Sequence, residues 1–238
     1  MMNNSFKCKK RRHKCLLLDY SIVSFVKNVI IILMKRYAFI DVLNTQNTSQ
    51  HMLGFVVDWN KLCDYLKNNK SCKEVILYTG IDNGDQETAK EFETVSKISC
   101  CAVKSKPIFS YKNKDRVVAF KCLCGEENIH TINMGYTKKS NCDVELSVDV
   151  MERAEPETEM YIYTADGDFE YLIRKALEKG VNKIYIVSYA GKNIQVGLTD
   201  SRFSTKLRNL INEKNKQVIY ISLKDIKHII KKDIAILT

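Results

Sequence analysis

The sequence predicts an α/β fold in three layers, α/β/α, around a central, mainly parallel sheet. Two observations carry this expectation. From Arg36 onward, short apolar runs alternate with amphipathic stretches at helical spacing, the pattern of strands joined by helices that cover both faces of a parallel sheet. No internal repeat, low-complexity tract or linker rich in Ser, Gly or Pro interrupts the alternation, and 238 residues that are 45% hydrophobic suffice for one buried core.

The elements follow in order. "RYAFID" (36–41) is an apolar run ending in an acid, a buried strand. "DWNKLCDYLKNN" (58–69) sets Trp59, Leu62, Cys63 and Leu66 at helical spacing, with Asp58 as N-cap. "KEVILYTG" (73–80) is a strand, "DQETAKEFETVSKI" (85–98) a polar helix and "CCAVKSKP" (100–107) a third strand. Residues 108–141 break the rhythm and read as a β-rich insertion, with "DRVVAFKCLC" and "NIHTINMGY" as two arms around "GEE". The alternation resumes with a helix at 143–154 that places Val144, Ser147, Val148 and Met151 on one face. A strand (159–166) leads to the strongly amphipathic helix 168–180, with Phe169, Leu172, Ile173, Ala176 and Leu177 inward and Gly180 closing it. A strand (182–188), a helix (201–214), a strand (217–223) and a helix (225–232) complete the chain.

Residues 1–33 stand apart as an N-terminal extension to a domain spanning 34–238. They carry seven Lys/Arg against one acid, so +6 of the formal +10 resides there and only +4 in the remainder. The basic run Lys7–Lys14 before an apolar stretch imitates a membrane anchor, but Asp19 and Lys27 interrupt it. Met34 reads as a natural chain start, so a dispensable or mis-assigned extension is favoured over an interfacial helix or an anchor, and no membrane association is expected. Nine cysteines, an odd number at irregular spacing without a cleavable signal, point to reduced thiols and a cytoplasmic protein.

In an open parallel sheet, ligands gather outside the carboxyl ends of the strands. Asp41 ends the first strand, with Asn44 three residues on; Asp143 opens a helix; Asp166 and Asp168 flank Gly167 between a strand and a helix. All four can meet on one rim. Each also has a structural explanation, as a helix N-cap or a turn former. Together, four carboxylates repel unless a cation lies among them, and oxygen-only ligands suit Mg²⁺ or Mn²⁺. Such an ion holds a phosphodiester and lowers the pKa of an attacking water.

"FIDVLN" (39–44), "CDVELSVDVM" (142–151) and "YTADGDFEYLI" (163–173) resemble, in this order, the three motifs of NYN-domain proteins, a group that includes the LabA-like proteins within the PIN-like nuclease superfamily. The resemblance spans about residues 36–190. It implies the PIN-like α/β/α fold and Mg²⁺- or Mn²⁺-dependent cleavage of RNA. Carried over, Asp41, Asp143, Asp166 and Asp168 match the metal-binding acids and Asn44 the polar residue that orders the site. Asp149 matches a second helix acid, supporting in role, because six residues are about 600° of helical rotation. Thr164-Ala165 stands where the family has Ser-Gly, and Gly167 replaces a small hydroxyl residue.

Two further constellations are weaker. Cys122, Cys124, His130 and Cys142 have zinc-ligating atoms without a standard spacing, so zinc is left open and not favoured. Lys104, Lys106, Lys112, Lys114, Arg116, Lys121, Lys138 and Lys139, with Phe109, Tyr111 and Tyr136 between them, form either a face for RNA or a solvated hairpin surface. No P-loop or dinucleotide fingerprint occurs, so no dinucleotide cofactor is expected. The expected function is a metal-dependent endoribonuclease; the alternative is a non-catalytic PIN-like module that binds RNA or protein. A homodimer is compatible with either.

Overall fold

The computed structural model describes residues 34–139, 141–195 and 198–233; the extension expected over 1–33 lies outside them. Six strands form the central sheet: β1 (Lys35–Asp41), β2 (Glu74–Ile81), β3 (Cys101–Pro107), β8 (Thr158–Tyr163), β9 (Lys183–Ser188) and β12 (Val218–Ser222). Their order is β12-β9-β8-β1-β2-β3, and every neighbouring pair is parallel. The chain thus steps outward from β1 to β2 and β3, then returns to the other side of β1 to lay down β8, β9 and β12. The reversal makes a topological switch point between β1 and β8, and a crevice outside their carboxyl ends.

The strands are apolar because both faces are covered. Along β1, Phe39 points into one core layer while Ala38 and Ile40 point into the other. The Phe39 layer packs under α4 (Asp143–Arg153), α5 (Phe169–Glu178) and α6 (Thr205–Glu213), through Leu146, Val150, Phe169, Ile173, Leu207 and Leu210. The opposite layer packs under α1 (Val42–Leu53), α2 (Trp59–Asn68), α3 (Gln86–Ser96) and α7 (Leu223–Ile230), through Val42, Trp59, Leu62, Leu66, Phe92 and Ile226. The three-layer α/β/α architecture expected from the alternation is what the chain adopts.

Several local expectations hold. Asp58 caps α2 by accepting from the Lys61 N–H at 3.1 Å. Helix α5 buries Phe169, Leu172, Ile173 and Ala176. Gly180 follows the α5 cap at φ +96°, a left-handed conformation that glycine adopts without strain. The insertion is β-rich, as anticipated: β4 (Phe109–Lys112) pairs antiparallel with β7 (Tyr136–Lys139), and beyond this stem β5 (Arg116–Lys121) pairs with β6 (Glu127–Ile132) around a turn containing Gly125.

Other expectations are corrected. Helix α1 had no counterpart in the sequence reading, because its buried face is built largely from the small polar residues Thr45, Thr48 and Ser49 rather than an apolar stripe. The α4 face of Val144, Ser147, Val148 and Met151 is not the core face: Val144 is 69% and Val148 50% exposed, while Leu146, Asp149 and Val150 are buried. Helix α6 starts at Thr205, after the Ser204 N-cap, not at 201; ahead of it β10 (Asn193–Gln195) and β11 (Leu198–Asp200) form a short antiparallel pair. The nine cysteines are not all reduced, since Cys122 and Cys124 are disulfide-bonded. Cys142 instead lies in the main core, where its thiol donates to the Thr79 carbonyl at 3.5 Å. Among the described residues no group of three His, Cys, Asp or Glu side chains is arranged to hold a metal ion. Nor, among them, is any helix long and apolar enough to cross a membrane.

Asp149 explains how α4 buries an acid against the sheet. Its carboxylate accepts from the Tyr78 hydroxyl at 2.6 Å and from the Lys104 ammonium at 2.8 Å, and the Arg153 guanidinium lies 3.3 Å away. Arg153 in turn forks onto Glu74 at 2.6 and 3.0 Å. Burial pushes the Asp149 carboxyl up, but the Lys104 and Tyr78 hydrogen bonds and the two cations outweigh it, and the net shift is down. Removing the acid strands a buried phenol and takes the carboxylate partner from Lys104, while Arg153 keeps Glu74. Asp149→Ala is therefore expected to cost about 3 kcal/mol in urea unfolding, and Tyr78→Phe about 1 kcal/mol. Because the folded pKa is depressed, this contribution is present above the unfolded value and is lost as pH falls through the folded one.

Candidate active site

At the switch point the chain leaves β1 at Asp41 and enters α1. Asp41 caps that helix, accepting from the Asn44 N–H at 3.1 Å. The Asn44 side chain reaches across to the loop after β8, where its Oδ1 accepts the Ala165 N–H at 2.8 Å. The next residue, Thr45, donates to the Tyr163 carbonyl at 3.4 Å. The start of α1 is thereby tied to the loop after β8, which carries the next acids.

That loop is itself tightly specified. The Asp166 N–H donates to the Thr164 hydroxyl at 3.1 Å, and the Asp168 N–H donates to Asp166 Oδ1 at 3.0 Å. Thr164, the departure from the family's serine, thus supplies a hydroxyl in the loop. Gly167 is a place where a side chain does not fit: an added Cβ would stand 2.2 Å from Ser204 Oγ. The Ser204 N–H also donates to the Ala165 carbonyl at 3.0 Å, so the cap of α6 is pressed onto the acid loop. From the other side, Asp143 occupies the first turn of α4, its N–H donating to Asn141 Oδ1 at 2.7 Å.

Asp41, Asp143 and Asp166 line one cavity of about 380 Å³, together with Asn44, Asn47, Tyr78, Thr79 and Cys142. Burial pushes the Asp41 carboxyl up to about 6, and the charges of Asp143 and Asp166 push the same way against the Asn44 hydrogen bond. Asp143 is also raised, by burial and by the charges of Asp166 and Asp168. Asp168, at the N-cap of α5, makes no side-chain capping bond, and Asp143 stands one place past the N-cap of α4, which is Cys142. Capping accounts for Asp41 but leaves Asp143 and Asp168 without that explanation.

The predicted acids are not equivalent. Asp168 lies outside the cavity lining, 84% exposed, with Lys206 3.5 Å away. Asp149 lies beneath the site, bonded to the cavity residue Tyr78. Asn47, Thr79 and Cys142 join the cavity without having been singled out for it, because helix α1, which supplies Asn47, has no apolar periodicity to reveal it. In donor chemistry the cavity suits a hard divalent cation: all-oxygen carboxylates whose mutual repulsion a cation relieves. As they stand, the acids do not close a cage, in keeping with the absence of any three-residue group among the described residues that would hold an ion unaided.

The basic residues of β3 and of the insertion are partly neutralised. Lys104 is bonded to Asp149, Lys106 to Glu145 at 2.7 Å, Lys112 to Asp115 at 3.3 Å and Lys121 to Glu127 at 3.3 Å. Arg116 is exposed, as are Phe109, Tyr111 and Tyr136. The side chains of Lys138 and Lys139 lie outside the described ones.

The NYN-domain family model matches residues 36–209. No curated protein matches the sequence. Among solved structures, a protein of unknown function from Vibrio parahaemolyticus is similar at a TM-score of 0.51 and 17% identity, over 79% of this chain and 93% of that one, which speaks to the fold alone. A phosphofructokinase-2 mutant from Escherichia coli aligns at a TM-score of 0.37 and 12% identity, over 72% of this chain and 50% of that one.

Two outcomes follow from the site's physics. Asp41 has a raised folded pKa, so its neutral form adds stability below the unfolded value that is lost as pH climbs through about 6. Asp41→Asn keeps a capping oxygen and removes that penalty; thermal unfolding of metal-free protein near neutral pH should show a gain of about 1–2 kcal/mol, vanishing below about pH 4. Gly167→Ala must displace Ser204 and should cost about 1–2 kcal/mol in the same measurement.

Proposed function

The chain belongs to the NYN-domain family of the PIN-like nuclease superfamily, and from that premise we propose that it is a metal-dependent endoribonuclease. Its proposed metal ligands are Asp41, Asp143 and Asp166, with Asp168 at the rim; the proposed cofactor is Mg²⁺ or Mn²⁺ and the substrate RNA. The observation that carries the reading is the convergence of three carboxylates, from segments up to 125 residues apart, on one cavity at the β1/β8 switch point.

Asp41, Asp143 and Asp166 would hold the cation, which would supply charge neutralisation for a phosphodiester and a lowered pKa for the hydrolytic water. The chain's own contribution is placement. Asn44 fixes the distance between the Asp41 and Asp166 segments through Ala165. Thr164 and Gly167 set the loop that presents Asp166. Tyr78, held by Asp149, forms part of the wall. The exposed aromatics and Arg116 of the insertion would meet unstacked bases and phosphates of a single strand; Lys104, Lys106 and Lys112, already paired within the chain, would contribute less.

A second reading is a non-catalytic PIN-like module that binds RNA or protein. It is favoured by one observation, that no three described side chains form a ready ion site. Incubation of the purified chain with single-stranded RNA and Mn²⁺ or Mg²⁺ decides between them. Cleavage should appear with either ion, vanish in EDTA, and fall about a hundredfold or more in Asp41→Asn and in Asp166→Asn. Cleavage that survives EDTA or both substitutions contradicts the metal mechanism, and RNA binding without cleavage under every ion supports the second reading.

A further inference from the structure

Beyond Arg116 at its base, the outer hairpin of the insertion, β5–β6, is a surface the nuclease reading does not use. Among the described residues, nine of the fifteen large hydrophobic side chains that stand exposed lie between residues 108 and 139. In the hairpin they fall on both faces. Residues directly opposite in the register share a face, so Phe120 and Ile132 lie on one side and Val117 and Ile129 on the other. All four are exposed, from 40% for Ile132 to 75% for Ile129. β5 and β6 pair with each other and make no extended contact with another strand or helix. A two-stranded hairpin is marginal alone in water, and its free edges are templates for another strand.

Charge selects the occupant. From Arg116 to Ile132 the hairpin holds two cations, Arg116 and Lys121, against Glu126 and Glu127, a formal net of zero in a chain of +10. A neutral, apolar ribbon gains little from phosphate contacts, which require an excess of Lys and Arg. The two edges differ as well. β5 carries a cation at each end, so antiparallel pairing with its own copy would oppose Arg116 to Lys121. β6, "ENIHTI", contains no Lys, Arg or Pro, the residues by which natural edges resist pairing. Its single charge, Glu127, lies at one end, so in an antiparallel pair the two copies of Glu127 fall at opposite ends. The β6 edge is compatible with itself.

We propose that β6 pairs antiparallel with β6 of a second copy of this chain, giving a four-stranded sheet across a two-fold axis and a homodimer. Neither the metal site nor the identity of the substrate enters this inference. It is tested by sedimentation velocity of the full chain across a concentration series, beside two double variants. Ile129→Lys with Thr131→Lys places charges on the β6 edge; Val144→Lys with Val148→Lys places them on the exposed apolar face of α4. Both pairs lie away from the core, and circular dichroism checks that each variant keeps the fold. The expected result is a wild-type species at twice the 27.5 kDa chain mass, a dissociation constant raised about tenfold or more by the β6 pair, and no change from the α4 pair. A chain that is monomeric at every concentration overturns the proposal, as does a dimer dissociated by the α4 pair but not the β6 pair. Loss of RNA affinity in the β6 pair with unchanged association would overturn it too, and would assign the hairpin to RNA.

Discussion

Carboxylates removed from water beside one another are costly, and that cost organises this molecule. Asp41, Asp143 and Asp166 face one cavity, and burial, with a smaller push from the charges of the last two, raises Asp41 to about 6. A chain that only needed helix caps would not gather acids in this way, because a cap is equally served by Ser, Thr or Asn without mutual repulsion. The surrounding structure holds the arrangement in place: Asn44 ties α1 to the loop after β8, Ser204 braces the loop at Gly167, and Asp149 ties Tyr78 to α4. Each of these contacts crosses from one segment to another, so the site is a product of the tertiary fold rather than of any single motif.

The legible parts of the fold were those in which periodicity and burial coincide. Strands β1, β2, β8 and β9 are covered on both faces and therefore read as continuous apolar runs; α2 and α5 carry apolar stripes and were placed with the right residues inward. Where burial is polar, the pattern fails. Helix α1 sets Thr45, Thr48 and Ser49 against the core, and α4 buries Asp149 while leaving Val144 and Val148 in water. In both cases tertiary hydrogen bonds make a polar face suitable for burial, and no local pattern announces such bonds.

The site was legible to a similar degree. Position at strand ends and helix starts was enough to bring Asp41, Asp143 and Asp166 together in expectation, because the rim of a parallel sheet is a single place. It was not enough to rank them. Asp168 turns outward toward Lys206, a direction fixed by the two-residue turn around Gly167 and by the start of α6. The insertion divides likewise: its stem sequence holds Lys112, Lys138 and Lys139, and its outer hairpin is neutral and apolar. One charge count over 108–141 conceals that division.

The most direct measurement of the central claim is an anomalous difference map from crystals grown with Mn²⁺. The account predicts a peak in the cavity at the β1/β8 switch point, about 2.1–2.2 Å from oxygens of Asp41 and of at least one of Asp143 and Asp166. A map at saturating Mn²⁺ with no peak there, the acids remaining apart, would contradict it.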